Sequence, residues 1–152
     1  MDTDSLIEER IGCSIREYFD REGEASFRDI EQAVIGELGQ SATGVVSTGG
    51  GSVLREANRQ QLHRHFHVVY LRASPEDLFR RLRHDVKRPL LQVQDPLGRL
   101  RDLHAVRDPL YRETAHDIVD TGRPSIATLV NLIVMQLELA GVAVPPAEGP
   151  PT

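Results

Sequence analysis

Four groups of residues in this sequence have the types and spacing for chemistry. The first is Gly49-Gly50-Gly51 in "VVSTGGGSVLRE", where four β-favouring residues run into three glycines and then into helical spacing. Glycine lets the main chain approach a ligand closely and adopt positive φ, so the run reads either as a tight turn or as a backbone cradle. A dinucleotide fingerprint would need a further glycine where Leu54 stands, and a phosphate-binding P-loop would need a lysine, of which Lys87 is the only one. The second group is Asp2 with Asp4. They fit a solvated, acidic helix start, and equally a strand-end pair with one acid near a metal ion and the other accepting a proton or hydrogen bonds from a substrate hydroxyl. The third is Arg28, whose guanidinium can be held by Glu31 three places on, in a surface ion pair or in a binding site. The fourth is the basic run Arg80, Arg81, Arg83, Lys87 and Arg88, either a solvated face or a lid that closes on phosphates and excludes water. His63, His65 and His67 alternate but span a helix end and a strand start, which keeps them off one face and argues against a metal site.

Helices and strands must position these groups. Asp4 is expected to cap a short helix over 5–11 stopped by Gly12, and Ser14-Ile15-Arg16-Glu17 is a capping box opening a second helix through Tyr18 and Phe19. After Gly23, the residues Phe27, Ile30, Val34, Ile35 and Leu38 form one stripe of a longer helix that ends at Gly39. A strand is expected over 44–48, then the glycines, a helix over 55–65, and a β-branched and aromatic strand over 67–73. Ser74 caps a helix reaching residue 83, with Pro75 in its first turn and acids at the positive end of its dipole. Residues 84–95 lose periodicity and read as a long loop. A weaker helix over 96–105, a short one over 109–115 and a last strand over 117–121 follow. Ser125 caps a terminal helix with Ile126, Leu129, Val130, Ile133, Val134 and Leu137 inward and Gly141 closing it. Strands alternating with helices predict an α/β fold with a parallel sheet and helices on both faces, in which ligands sit at the carboxyl ends of the strands, where the glycines fall.

Composition narrows the classes. A chain of 152 residues, 39% hydrophobic and 27% charged, reads as one globular domain, over 1–141, with a proline-rich, disordered tail over 142–152. A net charge of −5 argues against coating nucleic acid, which rests on neutralising phosphates. All but one of the 18 basic residues are arginine, the side chain suited to bidentate capture of carboxylate and phosphate. The single Cys13 excludes an internal disulfide, and nothing resembles a signal peptide or a bilayer-spanning run. A cytoplasmic enzyme or binding module, making no use of membrane or nucleic acid, is the expectation.

The segments "DTDSLIEERIG", "FRDIE", "STGGGSVLRE", "KRPLLQ" and "RDPLYRETA" occur in an order and spacing that resemble the shikimate kinase family, over residues 2–142. The resemblance implies a three-layer P-loop kinase-like fold, and transfer of the γ-phosphoryl of ATP to the 3-hydroxyl of shikimate in aromatic amino acid (chorismate) biosynthesis, with Mg2+, in a monomer. It also implies roles. Asp4 resembles the aspartate that binds the shikimate hydroxyls and helps deprotonate the nucleophile, and Asp2 its neighbour near magnesium. Arg28 and Arg107 resemble the two arginines that clamp the shikimate carboxylate. Gly50 resembles the glycine giving a backbone contact to the substrate, with Gly49 and Gly51 beside it. Phe19, Phe27 and Glu31 resemble the pocket wall and arginine support. Arg88 matches the lid arginine that reaches the phosphates, Arg81 the one that packs on adenine, and Arg123 falls near adenine by a looser match.

One departure stands out. Members of that family begin with a strand, a G-x-x-G-x-G-K-[ST] loop and a helix, on the order of 30 residues, and only then reach the aspartate pair at which this chain starts. That unit holds the phosphate-cradling amides, the lysine and the magnesium-binding hydroxyl, and its strand is the first and central one of the sheet. The leading expectation is a misread start or the edge of an incomplete gene, with a complete kinase in the cell and this chain alone inactive. A shikimate-binding pseudoenzyme and an interaction module are the alternatives, and gluconate or a nucleoside monophosphate is the runner-up substrate, against which the paired arginines and acids speak.

Overall fold

The computed structural model describes residues 1–82, 94–122 and 125–142. Its first helix, α1 (Thr3–Ile11), begins two residues before the expected start. The cap is Asp2 and not Asp4: Asp2 is extended, and its carboxylate accepts the Asp4 N–H at 3.1 Å and the Ser5 hydroxyl at 3.2 Å. Asp4 therefore sits in the first turn, while Gly12, at φ 73°, ends the helix as its sequence position predicts. In α2 (Ile15–Glu22) the Ser14 hydroxyl accepts the Glu17 N–H at 3.1 Å.

The longest apolar stripe lies on α3 (Glu24–Ser41), where Phe27, Val34 and Ile35 are buried. Phe27 and Val34 pack with Ile7 of α1, and Leu6, Ile11, Ile15, Tyr18, Phe19, Ile30 and Leu38 surround them. The helix runs past Gly39, which was expected to end it. A Cβ on Gly39 would lie 3.2 Å from His65 Cδ2, so this glycine admits the neighbouring α4 (Glu56–His65) and does not terminate α3.

The strand expected over 44–48 contracts to one parallel bridge, Asp2 with Ser47. Thr3 N–H donates to Ser47 O at 2.9 Å and Ser47 N–H to Met1 O at 2.8 Å. The ladder stops there because its partner turns helical at Thr3, and Val45 is 84% exposed. Asp4 is accordingly a helix residue, not a strand-end one. Gly50–Val53 form a single 3-10 turn before α4 begins.

The remaining elements are β1 (Val69–Arg72), α5 (Pro75–Leu82), α6 (Pro96–Thr114), β2 (Asp117–Asp120) and α7 (Ile126–Leu139). β1 and β2 pair in parallel with Val69 opposite Asp117. Ser74 and Ser125 cap α5 and α7 as predicted, accepting N–H groups from Asp77 at 3.1 Å and Thr128 at 3.3 Å. Two helices were expected over 96–115, but α6 is continuous through Pro109. Proline deletes one helical hydrogen bond and crowds the carbonyl four residues back, and the turns after it are held by side-chain bonds from Arg112 to Asp108 and from the Thr114 hydroxyl to Leu110 O. On α7, Ile126 and Val130 are 82% and 52% exposed, contrary to the inward face expected for them.

The chain divides into two compact units. The first comprises Met1–Val68 with Ala105–Ala115, the end of α6, and the second holds the remainder, including the β1–β2 sheet.

Candidate functional site

The three glycines meet the predicted functional side chains one by one, all within the first unit. A Cβ on Gly49 would stand 2.9 Å from Asp4 Oδ1. One on Gly50 would stand 3.2 Å from both Arg107 Nη1 and Tyr111 Oη, and one on Gly51 would fall within 2.7 Å of Arg28 Cζ. A Cβ at Gly49 or Gly51 would force Asp4 or Arg28 to shift, and one at Gly50 would make Arg107 and Tyr111 give slightly, so the absence of side chains is what lets an acid and two guanidinium groups crowd undisturbed against one stretch of backbone.

Arg28 is held on several sides. Its Nη1 donates to Glu31 Oε1 at 2.9 Å, and Glu24 lies 3.5 Å from Nε. Its Cζ is 5.1 Å from the Phe27 ring centroid and 6.0 Å from that of Phe19, the two rings being 4.7 Å apart. The Glu31 side chain is 1% exposed and that of Arg28 13%. Burial raises the Glu31 carboxyl above its usual range, with the Asp4 charge adding to it, while the bond to Arg28 and its charge pull the other way. The pair is positional: Glu31, one helical turn along α3, fixes a guanidinium that faces Gly51.

Asp4 is half-buried, and burial pushes its carboxyl up from the ordinary range. The Asp2 and Glu8 carboxylates push in the same direction and Arg28 opposes them. A carboxyl so placed is poised to accept a proton or a hydroxyl hydrogen bond more readily than a free aspartate.

Arg107 reaches the turn from α6, and Tyr111, four residues on and so on the same helix face, donates its hydroxyl to Gly50 O at 2.6 Å. Arg59 of α4 ties the rear of the turn: its Nη1 donates to Val53 O at 2.8 Å and Leu54 O at 3.2 Å, and its Nε lies 3.5 Å from Glu113 of α6. His63 Nδ1 stands 2.9 Å from Thr114 O. Tyr111 and Arg59 had no role in the sequence reading. Tyr111 lies inside the "RDPLY" segment at helical spacing from Arg107, which is the signal that points to it, whereas nothing local marks Arg59.

Asp2, Asp4, Phe19, Phe27, Arg28, Glu31, Gly49, Gly50, Gly51 and Arg107 thus all belong to the first unit. Arg81 belongs to the second, on α5, where its Nη2 donates to Thr121 O at 2.7 Å beside Asp77, Arg80 and Gly122. Arg88, Arg123, Lys87 and most of the expected lid lie outside the described residues. Among the described residues, no cluster of three or more His, Cys, Asp or Glu is arranged to hold a metal, and no helix is long and apolar enough to cross a membrane.

A family model described as shikimate kinase matches residues 1–138. The shikimate kinase of Ralstonia nicotianae is 53% identical over 151 residues, spanning 99% of this chain and 80% of that protein. The shikimate kinase of Paracidovorax citrulli is 55% identical over 148 residues, spanning 95% and 81%. In three dimensions the chain is similar to shikimate kinase from Acinetobacter baumannii in complex with shikimate, with TM-score 0.80 and 40% identity over 92% of this chain and 78% of that one. It is similar as well to the shikimate kinase of Bacteroides thetaiotaomicron, with TM-score 0.81 and 29% identity over 93% and 83%. The α/β architecture with its parallel pairing is that of a P-loop kinase, and the chain belongs to the shikimate kinase family, whose phosphoryl donor is ATP.

Proposed function

We propose that this chain binds shikimate at the triple-glycine turn as the acceptor half of an ATP-dependent phosphorylation of the shikimate 3-hydroxyl, the step that yields shikimate 3-phosphate for aromatic amino acid synthesis. The observation that carries the reading is the convergence of Asp4, Arg107 and Arg28 on Gly49, Gly50 and Gly51 respectively. Arg28 and Arg107 clamp the substrate carboxylate, Phe19 and Phe27 wall the ring, and the bare turn meets it with main-chain groups. Asp4 orients the hydroxyls and draws the proton from the attacking one, a task its raised pKa suits.

Magnesium fits the acids present. Asp2 spends one hydrogen bond at each oxygen on capping and keeps further lone pairs, and its charge already acts on Asp4. One or two carboxylates match an ion that holds most of its water and takes substrate phosphates as its other ligands. When bound, it neutralises charge on the transferring phosphoryl group. By the family resemblance, Arg81 and Arg123 are assigned to the nucleotide base and Arg88 to its phosphates.

No G-x-x-x-x-G-K-[ST] sequence occurs in these 152 residues, so the same reading gives this chain by itself shikimate binding without turnover. Titration calorimetry tests it. Shikimate is expected to bind and its uncharged methyl ester to bind at least about tenfold more weakly, the worth of a charge-assisted hydrogen bond. Equal affinity for acid and ester removes the carboxylate clamp, and shikimate-dependent ADP release by this chain removes the restriction to binding.

A further inference from the structure

We propose that Tyr111 is a positioning residue that locks the Gly50–Gly51 peptide in one orientation, and so sets which main-chain group the substrate meets beside Arg107; the inference rests on the shikimate reading above. A peptide flanked by glycine on both sides meets little steric resistance to flipping, because neither residue has a Cβ to restrict φ and ψ. In a trans peptide the Gly50 carbonyl and the Gly51 N–H point in opposite directions, so turning one turns the other. A turn built of three glycines thus gains close approach at the risk of losing a defined orientation. The 3-10 turn holds the carbonyls on either side, Gly49 O accepting the Ser52 N–H at 3.2 Å and Gly51 O the Leu54 N–H at 3.1 Å, and the Tyr111 hydroxyl adds the side-chain hold on the peptide between them by donating to Gly50 O at 2.6 Å, at the short end of the range for such bonds.

Helix geometry couples this lock to the clamp. Tyr111 follows Arg107 by four residues on α6, and both head groups stand 3.2 Å from the position a Gly50 Cβ would take. One helix face therefore delivers the guanidinium and the hydroxyl that orients the backbone next to it. That helix end is itself braced, by Arg59 between Val53 O and Glu113 and by His63 at Thr114 O. The hydroxyl is aimed from a fixed base.

The test compares the wild-type chain with Tyr111→Phe, which keeps the ring and deletes only the donor. Shikimate is titrated calorimetrically into each, and the isotope-labelled Gly51 amide is followed by NMR without ligand. The wild type is expected to show one sharp Gly51 resonance and Tyr111→Phe a broadened or doubled one. Shikimate affinity should fall about three- to tenfold, the value of one hydrogen bond, and saturating shikimate should restore a single resonance. A residue that only supported the fold would lower the melting temperature and leave the Gly51 amide single. An unchanged Gly51 resonance in Tyr111→Phe, or undiminished affinity, overturns the proposal. Failure of the wild type itself to bind shikimate overturns the shikimate reading instead, and the ligand-free Gly51 signal then decides on the lock separately.

Discussion

Replacing Gly51 with alanine inserts one methyl group where the Arg28 guanidinium now lies, within 2.7 Å of its Cζ. Gly51 is buried and its φ is not positive, so the backbone accepts alanine and the restricted unfolded chain favours it by about 0.4–1 kcal/mol. The guanidinium must give way. It is bound to Glu31, whose side chain is 1% exposed, and removing one partner of a buried ion pair costs about 3–5 kcal/mol. Displacement strains that pair and does not delete it, so the net loss is expected at about 2–4 kcal/mol, which for a chain of this length lowers the melting temperature by about 4–16 °C. Shikimate affinity should fall about ten- to hundredfold, because one arm of the proposed carboxylate clamp leaves its place. Scanning calorimetry and shikimate titration on Gly51→Ala measure both. The steric argument is refuted by a variant that melts and binds as the wild type does, since Arg28 would then have room that the geometry denies it.

Other expectations follow from the same contacts. Arg107→Ala should weaken shikimate binding about tenfold or more while leaving melting nearly unchanged, and Arg28→Ala should weaken it similarly and also destabilise, by stranding Glu31; equal losses for shikimate and its methyl ester would exclude carboxylate contact by either arginine. For Asp4, burial and neighbouring acids raise the folded-state pKa above 3.8, so the folded state holds more protons than the unfolded and stability rises as pH falls through the raised value. Asp4→Asn should accordingly raise the melting temperature at pH 7, with the gain vanishing below the ordinary value of 3.8; a pH-independent gain would point to another cause. Gly36→Ala, on a helix where an added Cβ meets nothing within 4 Å, should stabilise by about 0.5–1 kcal/mol and leave shikimate affinity alone, and a loss of stability would show the site to be closed.

Local chemistry was legible from residue order alone. Gly12 as a helix stop, the Ser14, Ser74 and Ser125 caps, and the Phe27–Val34–Ile35 stripe depend on neighbours within about a turn, and each stands where its spacing implied. The segments that resemble the family are short local runs, which is why Asp4, Arg28, the glycines and Arg107 stand out as candidates in the sequence itself. What depended on distant partners was not legible. The stretch before the glycines has strand composition but pairs only at Ser47, because its neighbour becomes helical at Thr3. Pro109 reads as a helix boundary, yet α6 passes through it, since tertiary packing outweighs a single residue's propensity. Ile126 and Val130 have the spacing of a buried face and are exposed, because periodicity names a face without supplying the surface that would cover it. Most of all, the sequence left the three glycines open between a tight turn and a backbone cradle, and only the folded chain decides that each glycine faces a different side chain and that Tyr111, 61 residues away, holds the middle one. A hydrogen bond across that separation exists only once the helices that carry its ends have packed.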